Sequence, residues 1–297
     1  MILEYLVTKK ECNTTVNNIL KNHLHLSRKQ IARLKAKNYI YLNNINCHIK
    51  VNVKENDIVK IQLFEHITSN SIIPTPMAID ILYEDEYIIV LNKPKNTLVH
   101  PVGKEIANTL SNGIKYYFAQ KNIFMIPRPV GRLDRNTTGV IVFAKNSHVH
   151  SIMVQTMNLS TSYKRYIAIT KNSLIKKEGI IDLPIKRMDG SIITRIVSPE
   201  GKKSITKYKI IETYNNFSLI QFELLTGRTH QIRVHCKQLN IPIIGDTLYG
   251  DASDLINRQA LHSHKTFFIH PFTQKETLLF APIPNDMLFV LDTLKKH

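Results

Sequence analysis

The stretch VGRLDRNTTGVIVFAKN, residues 130–146, decides how this chain is read. One carboxylate, Asp134, stands between two arginines, Arg132 and Arg135, and glycines bracket the group at Gly131 and Gly139. An apolar run follows at once at 140–144, which reads as a buried strand. A lone acid between cations, beside a strand that must be buried, is either a structural ion pair or a carboxylate held ready for chemistry.

Working outward, residues 80–297 are rich in short strands. Strand patterns occur at 87–91, 166–170, 204–211, 217–225 and 231–235, and helical patterns at 107–120 and 148–157. Strands without regular βα alternation predict an α+β fold with a mixed, mainly antiparallel sheet. Upstream, residues 64–79 are polar and hold two prolines, so 67–79 is assigned to a linker.

Residues 1–66 read as a separate small α/β unit. Val16, Ile19, Leu20 and Leu24 recur at helical spacing, and Ser27 is placed to cap a second helix with Ile31 and Leu34 on one face. Its other face carries Arg28, Lys29, Arg33, Lys35 and Lys37. Strands are predicted at 39–42, 49–53 and 58–63, with a turn at 54–58. Residues 14–63 hold nine Lys and Arg against two acids, a net +7. A helix with one apolar and one cationic face can dock while presenting charge to phosphates.

The whole chain repeats that imbalance. Its 297 residues carry 40 Lys and Arg against 23 Asp and Glu, a net charge of +17. A protein this basic points to a polyanionic partner, nucleic acid first. No apolar run approaches the ~18 residues of a membrane span, so no membrane partner is expected. Three cysteines, Cys12, Cys47 and Cys236, are odd in number and far apart, which fits a reducing cytoplasm and no disulfide framework.

Several chemistries lack their signatures. GxGxxG, GxxxxGK, HExxH, GxSxG and CxxC are all absent, so a nucleotide cofactor, a metal site and a serine elbow are not expected. His230, His235 and Cys236 lie close in sequence, but a strand would turn Cys236 away from His235; these residues, like His262, His264 and His270, are assigned to structure or RNA contact. Acidic side chains become the first suspects for chemistry.

Two further stretches join the first: VLNKPKNTLVHP, 90–101, and LLTGRTHQIRVHCKQLNIPIIGDTLYG, 224–250. In strand alternation Arg233 shares a face with Gln231 and His235, and can reach a carboxylate from elsewhere in the chain. Such a pair would keep Asp134 ionised even when partly desolvated.

Together these stretches resemble the pseudouridine synthases of the large-ribosomal-subunit, RluA/RluD type. The family pattern R-L-D-x-x-T-S/T-G appears from Arg132 to Gly139, T-G-R-T-H-Q-I-R-V-H runs intact from Thr226 to His235, and K-x-Y appears as Lys164-Arg165-Tyr166. GIIDLPIKR, GKKSITKY and RQALHSHKTFFIHP also fit, in order, across about residues 80–285. The N-terminal stretches LSRKQIARLKAKNYIYLNN and ENDIVKI resemble the small RNA-binding module named after ribosomal protein S-four. Asn38 and Asn44 stand where that family often carries glycine, and Asn tolerates left-handed backbone. Departures in the larger domain are Gly131 for a common His, Asn96 for a common Gly and Ser204 for a common Ala.

The resemblance implies a cofactor-independent isomerase acting on uridines of structured RNA, 23S ribosomal RNA first and transfer RNA second. It implies Asp134 as the catalytic acid, Arg233 as its holder and Tyr166 stacked on the base and available as general base. Leu261 would pack under the base. Arg132 and Arg135 would contact phosphate or replace the flipped base, and Lys93, Arg228 and His230 would serve the fold or the RNA. Arg28, Lys29 and Arg33 would bind RNA from the N-terminal unit. A monomer is expected. The competing readings are a non-catalytic RNA-binding or ribosome-assembly factor, which has no reason to hold Asp134, Tyr166 and Arg233 together, and a nucleoside glycosidase, which wants a second carboxylate such as Asp246.

Overall fold

A computed structural model describes residues 2–63 and 72–296. The chain forms two compact units, residues 1–68 and 69–297.

In the first unit, β1 (Ile2–Leu6), α1 (Val16–Asn22), α2 (Arg28–Ala36), β2 (Ile40–Leu42), β3 (Ile45–Asn46) and β4 (Ile58–Gln62) follow in sequence. The strands form a four-stranded antiparallel sheet in the order β1-β4-β2-β3. Ser27 caps α2: its hydroxyl accepts from the Gln30 backbone N–H at 3.3 Å, while the Gln30 side chain accepts from the Ser27 N–H at 2.9 Å. Val16, Ile19, Leu20, Leu24, Ile31 and Leu34 are buried in one core with Ile40, Val59 and Ile61. Arg28, Lys29 and Arg33 are exposed on α2. Asn38 and Asn44 take φ of 55° and 66°, the left-handed backbone their identity allows.

The strand expected at 49–53 is absent, for a local reason. Carbonyls of Ile49 and Val51 accept from the Asn17 and Val16 N–H groups, both at 2.9 Å, so this segment satisfies the start of α1 instead of a neighbouring strand. β1 was not anticipated; it completes the sheet edge against β4. The expected linker lies partly outside the described residues. Its described part, 72–79, is held on the next helix: the Asn112 amide donates to the Ile73 carbonyl and Lys115 to the Ile72 carbonyl, both at 2.7 Å.

The second unit opens with β5 (Ile81–Glu84), β6 (Ile88–Lys93), α3 (Leu110–Gln120), β7 (Arg128–Pro129), β8 (Thr138–Ala144) and α4 (Ser147–Thr156). It continues with β9 (Tyr163–Lys171), β10 (Glu178–Asp182), the hairpin β11 (Ile185–Arg187) and β12 (Arg195–Val197), β13 (Ile205–Tyr214) and β14 (Phe217–Leu224). It ends with α5 (Gln231–Gln238), β15 (Leu261–Ile269), β16 (Glu276–Phe280) and α6 (Asn285–Lys295).

One large sheet runs β10-β13-β14-β9-β15-β8-β6-β5, with β16 paired to β15 and β7 to β8. Every pairing is antiparallel except β15 with β8, so the α+β, mixed, mainly antiparallel architecture expected from the sequence is the one observed. All seven residues of β8 are buried. The reason is two cores. Ile141 and Phe143 of β8 join Ile89 and Leu91 of β6 in a core with α3, α5 and α6, while Val140 and Val142 join Ile88 and Val90 in a core with α4 on the opposite face. Gly139 lies where β8 meets β15: its φ is +107°, and an added Cβ would collide with the Ser263 carbonyl.

The segment expected as a strand at 231–235 is the helix α5. Gln231, Ile232, Arg233, Val234, His235 and Cys236 are all buried, so the helix shows no solvent-facing stripe, and two β-branched residues at spacing two imitate a strand. Gln231 fixes its start. Its amide oxygen accepts from the Thr226 hydroxyl at 2.8 Å and the Arg228 N–H at 3.0 Å, and its amide nitrogen donates to the Ile205 carbonyl at 3.0 Å.

Candidate active site

Asp134 sits in the loop between β7 and β8, and its backbone is clamped by buried cations. The Lys93 ammonium donates to three carbonyls, those of Pro94 at 2.8 Å, Thr97 at 2.7 Å and Arg135 at 2.6 Å. Three donors meet three acceptors, which is full satisfaction for an ammonium. Burial, helped by the charges of Arg258 and Arg135, pushes Lys93 down to about 7, with the Asp134 charge working the other way. Arg258 donates to the Asn136 carbonyl at 3.1 Å and is itself held by both oxygens of Asp286, at 2.9 and 2.8 Å. Lys93 therefore supports the loop from within the fold. Arg258 does the same; it opens the stretch RQALHSHKTFFIHP, from which the sequence reading draws no role for it.

The first turn of α5 brings two groups to Asp134. His230, the residue before the helix, takes a left-handed φ of 58°, and Arg233 follows three positions later on the same side. Arg233 Nη1 donates to Asp134 Oδ2 at 2.9 Å. Its other edge faces Asp246: Nε and Nη2 donate to Oδ2 and Oδ1, both at 2.7 Å. Burial lowers the Arg233 pKa, but the bonds to Asp246 and the charges of both carboxylates outweigh it, and the net shift is upward. The guanidinium also lies 5.0 Å from the Tyr249 ring centre.

Asp246 is 1% exposed. Besides Arg233 it accepts from the backbone N–H groups of Leu248 and Tyr249, at 3.1 and 3.3 Å. With both oxygens engaged it has no role left as the second acid or base of a glycosidase. The sequence leaves Asp246 open and does not link it to Arg233; the GDTLYG turn is the available signal.

Asp134 Oδ1 is more open. Its nearest cationic neighbour is His230 Nε2 at 3.7 Å. The Tyr249 hydroxyl accepts from the Arg195 backbone N–H at 2.9 Å and sits 2.8 Å from His230 Nδ1. The hydroxyl can give its proton to Nδ1, and in that tautomer the imidazole carries its own proton on Nε2, facing Asp134. Burial lowers the His230 pKa, against the pull of Asp134.

These groups line an open cleft. Asp134, Tyr166, Arg233, Arg132, Arg228, His230 and Leu261 all border it, together with Leu133, Thr137, Leu224, Gln231 and Ile232. Seven of the residues singled out in the sequence thus converge from four separate chain segments. Two do not. Lys93 is fully buried beneath the loop, and Arg135 is exposed, paired with Glu105 outside the cleft. Burial pushes the Tyr166 phenol up to about 12, with the Asp134 charge acting in the same direction and a Ser263 hydrogen bond against it. At neutral pH Tyr166 is a protonated phenol, a donor and a stacking face more than a ready base.

The histidines outside the cleft have structural partners. His235 bonds the Thr206 hydroxyl and the Leu183 carbonyl, both at 3.0 Å, and His262 bonds the Thr138 hydroxyl at 2.8 Å and the Ala281 carbonyl at 3.1 Å. Among the described residues no group of three His, Cys, Asp or Glu is arranged to hold a metal ion, and no helix is long and apolar enough to cross a membrane.

The cleft thus has an arginine-held carboxylate at its floor, an aromatic ring and a leucine on its walls and cations at its rim, on a mixed sheet. The chain belongs to the RNA pseudouridylate synthase family, whose profile matches residues 87–238. Within it, the chain is of the RluA/RluD type. It is 38% identical to the uncharacterized RNA pseudouridine synthase YhcT of Bacillus subtilis over 96% of this chain and 95% of that one. It is 35% identical to the ribosomal large subunit pseudouridine synthase D of Buchnera aphidicola, covering 90% of this chain and 91% of the relative. The fold is also that of the human RNA pseudouridylate synthase domain containing 4, with a TM-score of 0.59 and 23% identity over 73% of this chain and 93% of the human one. The chain is accordingly an RNA pseudouridine synthase.

Proposed function

We propose that this enzyme isomerises specific uridines of large-subunit ribosomal RNA, with Asp134 as its catalytic carboxylate. The single observation that carries the assignment of Asp134 is its bond to Arg233 at 2.9 Å beside Tyr166 and Leu261 in one cleft. The ribosomal target is supported by the large-subunit activity for which the Buchnera relative is named and by the net charge of +17.

The reaction breaks the C1′–N1 bond, turns the base and forms a C1′–C5 bond; the C5 proton leaves and N1 gains one. Atoms balance, so no cosubstrate is needed. Asp134 serves the sugar carbon through Oδ1, as nucleophile or as stabilising charge, while Oδ2 stays on Arg233. The walls of the cleft keep water from an open intermediate. Tyr166 stacks on the base and Leu261 packs beneath it. Arg132, Arg228 and His230 contact the RNA at the rim, and Arg135 reaches it from outside the cleft. The target uridine must leave its stack, which favours loops over helices.

The N-terminal unit acts as an S-four-type RNA-binding domain through Arg28, Lys29 and Arg33, and residues 80–297 form the catalytic domain. Three unpaired cysteines fit a cytoplasmic enzyme, and one chain carries every residue of the site, consistent with a monomer.

Pseudouridine mapping on total RNA tests this directly. Cells with the enzyme, without it, and with Asp134→Asn are compared. Loss of the same ribosomal sites in the last two is the expected result. Loss of transfer-RNA sites instead would reassign the target, and no change at any site would sink the catalytic assignment.

A further inference from the structure

A second, small hollow adjoins the first and has no role in the chemistry above. Arg132, Leu133 and Tyr166 border both. The other walls are Val130, Val140, Ile141, Val142 and Met157, the small hydroxyls Ser263 and Thr266, and Lys164. Two cations and three hydroxyls face this space, and no carboxylate does.

Lys164 is placed there by the strand. It lies two residues before Tyr166 on β9, so both side chains point to the same face of the sheet. Its ammonium rests against the start of the Asp134 loop: a Cβ added to Gly131 would lie 3.4 Å from Nζ. Among the described residues Lys164 makes no hydrogen bond and no ion pair. The fully buried lysine, Lys93, has its charge answered by three carbonyls. A largely enclosed ammonium without a counter-charge is unfavourable in the free protein, and burial accordingly lowers its pKa. An anion arriving with the substrate would relieve that cost.

We propose that Lys164, with Arg132 beside it, forms a phosphate subsite that takes a backbone phosphodiester adjoining the target uridine. Resting on the reading of the first cleft as the uridine site, it deepens that reading: Tyr166 stands between the base on one side and the phosphate on the other. The small hydroxyl of Thr266 offers a further donor, while that of Ser263 is given to the Val140 carbonyl at 3.0 Å. Binding energy won at Lys164 is spent on the nucleotide that has left its stack, so it acts on the grip on RNA and not on bond breaking.

The test uses the full-length enzyme and total RNA from cells that lack it, grown with [5-³H]uridine, because the reaction releases the C5 hydrogen. Tritium release gives KM and kcat, repeated across a salt series. Lys164→Met should raise KM about tenfold, the size of one charge-assisted hydrogen bond. It should also cut the slope of log KM against log salt by about 0.7, one phosphate contact on a single strand. The kcat should stay within twofold, and Lys164→Arg should restore both KM and slope. Lys164→Gln carries the same readings if the methionine variant folds poorly. Unchanged KM and slope would overturn the subsite, as would a fall in kcat alone. Failure of both neutral variants to fold would overturn it too, because Lys164 would then be a structural residue. Failure of the underlying reading looks different: wild type and Asp134→Asn would release the same tritium.

Discussion

Asp246 grips Arg233 from the side opposite Asp134, with two bonds of 2.7 Å against the single bond of 2.9 Å to Asp134. A planar guanidinium held along one edge can present its remaining nitrogen in only one direction. Asp246 is thus the positioning residue for Arg233, and through it for the carboxylate in the cleft. It touches neither cleft nor substrate.

Asp246→Asn should therefore damage the site without touching it. The substitution turns one accepting oxygen into a donor facing Arg233. It should destabilise the fold by on the order of 3 kcal/mol, the usual cost of breaking one partner out of a buried ion pair. It should lower kcat while leaving RNA affinity near wild type, since the rim cations are intact. Urea unfolding and steady-state kinetics on the same preparation check both halves.

His262 gives a pH signature. Burial, the largest influence, pushes its imidazole down to about 4, well below the ordinary histidine value. Between pH 6.5 and 4 the unfolded chain therefore holds a proton that the folded chain excludes. Stability must fall as pH drops through this window, by up to about 1.4 kcal/mol per pH unit for one full proton. His262→Gln removes that proton. Its unfolding free energy should change less steeply with pH between 6.5 and 4 than wild type. Equal slopes would mean that His262 already titrates normally in the folded protein.

The basic face of α2 predicts a division of labour. Replacing Arg28, Lys29 and Arg33 together with Gln should weaken RNA binding and lower its salt dependence by roughly two to three logarithmic units, near 0.7–0.9 for each phosphate no longer neutralised. The kcat at saturating RNA should be unchanged. Filter binding across a salt series, beside single-turnover rates, separates the two effects.

The sequence carried the buried strand β8, the capped helix α2 and the acid between two arginines, because each is a local pattern of period, cap or charge. It also carried the meeting of Asp134 and Arg233, through the resemblance and not through geometry. What it hid was α5. A helix buried on every side has no stripe to detect, and Ile232 and Val234 at spacing two imitate a strand. The same failure hid why His230 and Arg233 act together, since three positions apart is one face of a helix and opposite faces of a strand. The strand expected at 49–53 failed differently, its carbonyls being taken by the start of α1. Arg258 and the grip of Asp246 are long-range pairings, and no local pattern encodes them.

Arg135 contributes to the loop with its carbonyl, which accepts from Lys93, while its side chain lies at the surface beside Glu105. Anchoring and outward display are therefore divided between different atoms of one residue. A substitution at position 135 leaves the carboxylate next to it in place, because every amino acid supplies the same carbonyl. The loop offers evolution a replaceable label on a fixed mount, one route by which a single reaction could be redirected among many uridines.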